Sequence, residues 1–196
     1  LYKADIEMEL RTPGLGGFQL LDLQDYPGQG SAYIGVLDAF MDSKGLVAPE
    51  RWRGFCSEVV PLALMEKYCW TTGEQFEAQV KIANYSEHSL SGRELLWQLA
   101  DGDGRQVAGG SLPIATAGTG LLDAGSVVAS LSSLAQAQRL TLSLHIPGTT
   151  YRNAYSLWVY PQVSSAAAQD SGVLVTRDLS PEVMDKLKAG ARVLWF

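Results

Sequence analysis

The sequence predicts a mainly β protein built around an immunoglobulin-like β-sandwich, with α/β pieces on either side. Three observations predict it. From about residue 68 to residue 160, six or seven short strand-like runs recur at regular spacing between Gly, Pro and Asn turns, the pattern of a two-sheet sandwich. Before residue 58 the order reads helix, strand, loop, helix, helix, and its one strand has no partner within the segment. After residue 172 a strand, a helix and a second strand follow in close succession, the opening of a parallel β-α-β unit.

Local chemistry justifies each element. Tyr2 to Leu10 mixes acids with apolar residues, and Ile6 and Leu10 stand one helical turn apart on one face. Pro13-Gly14 and Gly16-Gly17 end that helix. Phe18-Gln19-Leu20-Leu21-Asp22-Leu23 is short and mostly apolar, the composition of a strand covered on both faces. A polar loop, Gln24 to Gly30, comes next. Ser31 is placed to cap a helix to about Met41, with Ile34, Leu37 and Phe40/Met41 as its stripe and Gly45 as its stop. Pro49-Glu50 opens a shorter helix towards Phe55.

In the middle of the chain, Phe76 to Ile82 alternates strictly, as a half-buried antiparallel strand does. Leu95–Leu99 and Gln106–Leu112 flank the turn Asp101-Gly102-Asp103-Gly104, a hairpin signal. Val127–Leu131, Arg139–Ile146 and Tyr155–Tyr160 complete the strands. The expected core is Val80, Ile82, Leu96 or Trp97, Leu142, Leu144 and Trp158. A small, polar stretch then reads as a linker. Val173–Val175, a helix opened by Ser180-Pro181 and ended by Gly190, and a strand from Val193 form the last unit. The boundaries are thus 1–58, 59–162, a linker at 163–172, and 173–196. Leu1 in place of Met and the apolar end Arg192 to Phe196 have the look of internal positions of a longer chain.

Composition narrows function. With 196 residues, 46% hydrophobic and 18% charged, the chain has the make-up of a globular protein with a real core. Fifteen Lys and Arg against 21 Asp and Glu give a net charge of −6, the wrong footprint for gripping a phosphate backbone, so nucleic acid is not an expected partner. No apolar run is long enough to span a membrane. Two cysteines, Cys56 and Cys69, make no disulfide framework; two buried free thiols are the expected state, with a Cys56–Cys69 bond as the alternative in an exported chain. His88 and His145 lie too far apart for a structural zinc site, and neither metal nor cofactor is expected.

Several motifs dissolve on inspection. The glycines at 14, 16 and 17 precede the strand, whereas a dinucleotide loop follows one. Asp101-Gly102-Asp103-Gly104 lacks the later acidic ligands of a calcium loop, and a type I′ turn accounts for it. Asn84-Tyr85-Ser86 matches a glycosylation sequon and also reads as a strand end turning into a loop. No nucleophile–histidine pair stands at readable spacing. Asp22, Gln24, Asp25 and Tyr26 differ from these, because they sit where a buried strand leaves for a helix. A strand-to-helix loop of that kind builds the active face of a β/α barrel. Carboxylates, an amide and an aromatic ring are what a sugar site uses: hydrogen bonds to hydroxyls and a flat face for the ring. The alternative is that Asp22 or Asp25 caps the loop.

The run Gly16-Gly17-Phe18-Gln19-Leu20-Leu21-Asp22-Leu23-Gln24-Asp25-Tyr26-Pro27-Gly28-Gln29-Gly30, with Gly35 to Phe40 and Asp42-Ser43-Lys44-Gly45, resembles the end of the barrel in large bacterial β-galactosidase-like enzymes of the glycoside hydrolase family 2 type, common in gut Bacteroidetes. The resemblance continues through Pro49-Glu50, Phe55-Cys56-Ser57 and Val59-Val60-Pro61-Leu62. It returns at Tyr151-Arg152-Asn153 and Leu157 to Pro161. It implies that residues 1–58 are the last βα unit of a (β/α)8 barrel, that 59–162 are the sandwich behind it, and that 173–196 begin a further α/β domain. It also implies a retaining glycosidase whose two catalytic glutamates lie on strands before Leu1, so no catalytic residue is carried over. Asp22, Gln24, Asp25 and Tyr26 would line the sugar site, although the tryptophan many members place near this strand end is missing. The implied parent is exported to the periplasm or cell surface, with a carbohydrate substrate. The rival expectation is a non-catalytic carbohydrate-binding or structural sandwich, which would show exposed aromatics on one face, with Trp70, Tyr85 and Tyr151 as candidates.

Overall fold

Strict alternation makes β3 (Gln75–Asn84) a strand: Phe76, Ala78, Val80 and Ile82 are buried, while Gln75, Glu77 and Gln79 face solvent. β3 is the centre of a three-stranded antiparallel sheet in the order β1 (Val59–Leu64), β3, β6 (Gly120–Ser130). The second sheet runs β2 (Cys69–Thr71), β8 (Arg152–Tyr160), β7 (Gln138–His145), β4 (Glu94–Ala100), β5 (Gln106–Pro113). Its pairs are antiparallel except β2, which lies parallel to β8. From β1 to β8 the chain crosses between the sheets at every connection except β4 to β5 and β7 to β8, giving an immunoglobulin-like β-sandwich. The computed structural model describes residues 2–28, 30, 33–115, 118–162 and 172–196, in two units, Leu1–Tyr160 and Pro161–Phe196.

The core lies between the sheets, where Phe76, Val80, Ile82, Val127, Leu140, Leu142, Leu144, Leu157 and Val159 are fully buried. β3 and β6 carry a register shift after Val80, opposite Gly125, whose φ of 108° needs a residue without Cβ. Two expected core residues lie elsewhere. On β4 the buried positions are Leu95 and Leu99, with Leu96 and Trp97 only half-buried. On β8 the odd-numbered residues Asn153, Tyr155, Leu157 and Val159 face inward, so Trp158 faces out and is 41% exposed. With a side-chain period of two, a parity error of one residue moves a whole set to the other face. The pairing of Leu142 with Leu99 on one side and Tyr155 on the other sets the parity.

β1 is buried along nearly its whole length because it is covered twice. Val59 and Ala63 face the sandwich core, while Val60 and Leu62 pack against Ile6 and Leu10 of α1 (Tyr2–Leu10) and against Phe55. Phe55 follows α2 (Pro49–Arg53), whose Trp52 sits edge-on between Tyr2 and Phe55.

The stretch between the helices departs from the sequence expectation. Among the described residues of 15–48 there is no helix and no ladder strand, only single bridges from Leu37 to Gln24 and to Ser43. A strand covered on both faces needs a neighbour on each edge to take its N–H and C=O groups, and Phe18–Leu23 has no such pair of neighbours here. The helix expected up to Met41 is replaced by a turn. Asp38 accepts the backbone N–H groups of Phe40 (2.8 Å) and Asp42 (2.9 Å), competing with helical bonding, and Met41 has a φ of 70°. Ser31, its expected cap, lies outside the described residues.

The turn after β4 is also different in detail. Gly104 donates to the carbonyl of Asp101 (3.1 Å), and Gly104, with a φ of 80°, is its only residue with positive φ, so the turn is not type I′. The Asp101 carboxylate accepts the N–H groups of Asp103 and Arg105 and is held inside the turn.

In the second unit, β9 (Val173–Thr176) and β10 (Arg192–Trp195) are parallel and joined through α3 (Pro181–Lys188). Ser180 caps α3 by accepting from the N–H of Val183 at 3.3 Å. The linker residues 163–171 lie outside the described residues. No described helix is long and apolar enough to cross a membrane.

Candidate functional site

The loop that the sequence singles out is held by its own aspartate. Asp25 is buried; its carboxylate accepts the N–H of Gly35 at 3.0 Å and pairs with the Lys44 ammonium at 2.9 and 3.0 Å. Lys44 also donates to the carbonyl of Gly35 at 3.0 Å, so one cation ties both ends of the loop. Backbone bonds from Asp25 N–H to Leu37 and from Leu37 N–H to Leu23 close the clamp. Gly35 is required by space: a Cβ there would lie 2.4 Å from the carbonyl carbon of Gln24. The tip is different in kind. Gln24 and Tyr26 are exposed, Asp22 is half-buried, and none of their side-chain polar groups has a hydrogen-bond partner among the described residues. Asp25 is therefore a brace, and Asp22, Gln24 and Tyr26 are the members of the set with free polar atoms.

A second polar centre joins α1 to the sandwich. Glu7 is buried on the face of α1 that meets β1 and β8. Its carboxylate pairs with Lys3 and with Arg11 (3.2 Å), one helical turn away on either side. The same carboxylate accepts from Asn153 Nδ2 (2.7 Å) and the Tyr155 hydroxyl (2.9 Å). Asn153 also donates to the carbonyl of Pro61 and accepts from Lys3 (2.6 Å). Burial, and then the facing Glu7 carboxylate, push the Tyr155 phenol far above its ordinary value. Burial pulls the Lys3 ammonium down, against the opposing pull of Glu7. The spacing Lys3, Glu7, Arg11 was visible in the sequence; its partners Asn153 and Tyr155, some 150 residues away, were not.

Beside this centre lies an open cleft of about 810 Å³ on the outer face of β7 and β8, bordered by α2 and Lys3. Arg139, Thr141, Ser143 and His145 from β7 and Arg152 and Ser156 from β8 contribute to it. The signal for this face was present as the polar half of the alternating run 139–145.

The remaining candidates resolve individually. Trp70 is buried edge-on against Phe76, so it is a core residue. Tyr151 is half-buried and hydrogen-bonds Glu58, which raises its pKa. Tyr85 is exposed at 42%. Asn84 is buried at the end of β3, with its amide bonded to the carbonyl of Gly118 (2.8 Å) and its oxygen accepting from Ser86 (2.7 Å). Cys56 and Cys69 are both free; Cys56 is half-buried, its thiol raised by burial, but Cys69 is exposed because it shares the outward parity of Trp158, against the expectation of two buried thiols. Among the described residues no group of three or more His, Cys, Asp or Glu is placed to hold a metal.

The fold and these sites define a β-sandwich domain with an appended polar loop. A protein family described as a domain of unknown function (DUF8488) matches residues 74–161, the part from β3 to β8. No curated protein matches the chain. Similar solved structures include the β-glucuronidase of Parabacteroides merdae with glycerol in its active site, at 14% identity and a TM-score of 0.35, and the same enzyme in a second structure, at 13% and 0.34. Each match covers 52% of this chain and 14% of that one, so the chain spans a small part of the length of these enzymes.

Proposed function

We propose that this chain is a non-catalytic part of a carbohydrate-active hydrolase, a C-terminal stretch of a retaining O-glycosidase in which the tip Asp22, Gln24 and Tyr26 borders the sugar. The observation that supports it is the apolar surface of the stretch before the sandwich. Leu21, Ile34, Phe40, Met41 and Leu46 are each more than half exposed on irregular backbone that the pair of buried Asp25 with Lys44 holds in one shape. Apolar surface of this density marks contact with another protein body. A barrel carrying the catalytic carboxylates, as the sequence resemblance implies, is such a body. Hydrolysis would then use a carboxylic acid and a carboxylate nucleophile outside this chain, and the parent would act in the periplasm or at the cell surface.

The test is the mass of the native polypeptide, read by blotting its source with an antibody raised against this chain. A band several times the 21.2 kDa of these 196 residues supports the reading, and the larger protein is then assayed on aryl glycosides. A band at 21.2 kDa overturns it.

One observation favours a second reading, a sandwich that itself binds carbohydrate. Trp158 and Tyr160, two residues apart on β8 and therefore on one face, are 41% and 49% exposed. Exposed aromatics on a common face offer a platform for sugar rings.

A further inference from the structure

The outer face of the five-stranded sheet carries a pattern that the loop reading does not use. Pairing of β7 with β8 sets Arg139 beside Trp158, Thr141 beside Ser156, and His145 beside Arg152. Alternation sends the leucines of both strands inward and leaves this polar set facing the cleft. From Arg139 to His145 the strand runs about 20 Å, long enough for several sugar rings.

The charge is the second observation. Arg51, Arg139 and Arg152 all line the cleft, and among the described residues none of them has a carboxylate within ion-pair distance or a side-chain hydrogen bond. Glu50, the carboxylate at the rim, is paired with Arg53. A cleft with three unpaired guanidinium groups in a chain of net charge −6 is a local concentration of positive charge, not a reflection of composition. The hydroxyls of Thr141, Ser143 and Ser156, between the two arginine ends, likewise have no partner among the described residues.

We propose that this cleft binds an acidic glycan, a saccharide chain bearing carboxylate or sulfate groups. Arg139, Arg152 and Arg51 form paired hydrogen bonds to its oxyanions. The intervening serine and threonine hydroxyls bond ring hydroxyls, and the Trp158 indole covers a ring at the Arg139 end. Between the charges the lining carries hydroxyls and no exposed aromatic ring, an arrangement that suits ring-shaped polyols better than single-stranded nucleic acid, which uses successive stacking surfaces. The inference rests on the reading of the sandwich as carbohydrate-binding, and adds the place and the charge of the ligand.

The experiment titrates the full 196-residue chain with polygalacturonate, heparin, dextran, polyglutamate and a single-stranded RNA, following tryptophan fluorescence and heat. The expected result is salt-sensitive binding of polygalacturonate or heparin with none of dextran, and the arm that binds identifies carboxylate or sulfate as the anion. Arg139→Gln and Arg152→Gln, on exposed positions, each weaken it about tenfold. Trp158→Ala weakens it and removes the fluorescence change, with circular dichroism unaltered. Equal binding of dextran overturns the acidic ligand and leaves the carbohydrate reading standing. Equal binding of polyglutamate or RNA overturns the glycan. Binding of no saccharide overturns both.

Discussion

Replacing Glu7 by alanine removes the group that fastens α1 to the sandwich, and the structure sets the size of the loss. The carboxylate holds two cations, Lys3 and Arg11, and accepts from Asn153 and Tyr155. Breaking a buried ion pair from one side costs about 3–5 kcal/mol, because the remaining charge stays desolvated without a partner. Lys3 and Arg11 keep about a quarter to a third of their side chains in solvent, 26% and 30%, and can swing outward, which places the loss near the low end, at about 3 kcal/mol. Asn153 keeps its bonds to Lys3, Pro61 and Tyr155, but the tyrosine is only 4% exposed, so its O–H loses its acceptor with no water to replace it. Against a total stability of about 5–15 kcal/mol, a loss of this size is a large shift in urea midpoint. Trp52 meets Tyr2 edge-on at the start of α1, and its fluorescence reports the release. Glu9→Ala, an exposed acid on the same helix, is the control and is expected to change stability by less than about 0.5 kcal/mol. Glu7→Ala and Glu9→Ala behaving alike would refute the argument that this cluster holds the helix in place.

The other predictions concern the same centre, the loop and the sequon. Because Tyr155 has its pKa raised on folding, the stability it contributes is present below pH 10 and is lost as pH rises beyond that value; Tyr155→Phe is expected to flatten the alkaline slope of unfolding free energy, and an unchanged slope would count against a buried phenol. Gly35→Ala places a Cβ against the backbone of Gln24 and Asp25, and is expected to open the loop to limited proteolysis between residues 22 and 45. Gly28→Ala meets only the exposed Tyr26 ring, which can swing away, so its digestion pattern should match the parent chain. Expression in a glycosylating host is expected to leave Asn84 unmodified by mass spectrometry, since its amide is buried and bonded, whereas Asn84→Ala should lose about 1–3 kcal/mol by leaving the Ser86 N–H and the carbonyl of Gly118 unpaired.

What the sequence disclosed follows the range of the interactions involved. β3 and β7 are legible because each carries its own alternation, with apolar residues at every second position and polar ones between. β4 is less so, since Leu95, Leu96, Trp97 and Leu99 offer apolar residues of both parities, and only the pairing of Leu99 with Leu142 chooses between them. The loop failed for a related reason. The apolar run 18–23 looks like a strand, but a strand is a relation between neighbours, and the single bridge at Gln24 supplies too little of one. Asp25 was legible as a carboxylate that either lines a sugar site or caps the loop, but its partner Lys44 was not, because it stands 19 residues on and local spacing does not point to it.

The parity error at Trp158 bears on function. A tryptophan in an alternating strand is assigned to the core by hydrophobicity, and turning it outward leaves an indole in water unless something covers it. On β8 the inward places are already filled by Tyr155, Leu157 and Val159, so the strand had no need of Trp158 for the core. Its neighbour across the pair is Arg139, whose guanidinium likewise has no protein partner among the described residues. Two outward side chains on adjacent strands, Arg139 lining the cleft and Trp158 paired beside it just outside the lining, are better accounted for by a shared ligand than by folding. Stability and binding then separate cleanly. Substitutions at Leu140, Leu142 or Leu157 are expected to unfold the sandwich, by about 2–5 kcal/mol for leucine to alanine, whereas Trp158→Ala and Arg139→Gln should leave the urea midpoint within about 0.5 kcal/mol of the parent. A loss comparable to the core variants at Trp158 would return it to a structural role and remove the platform beside Arg139.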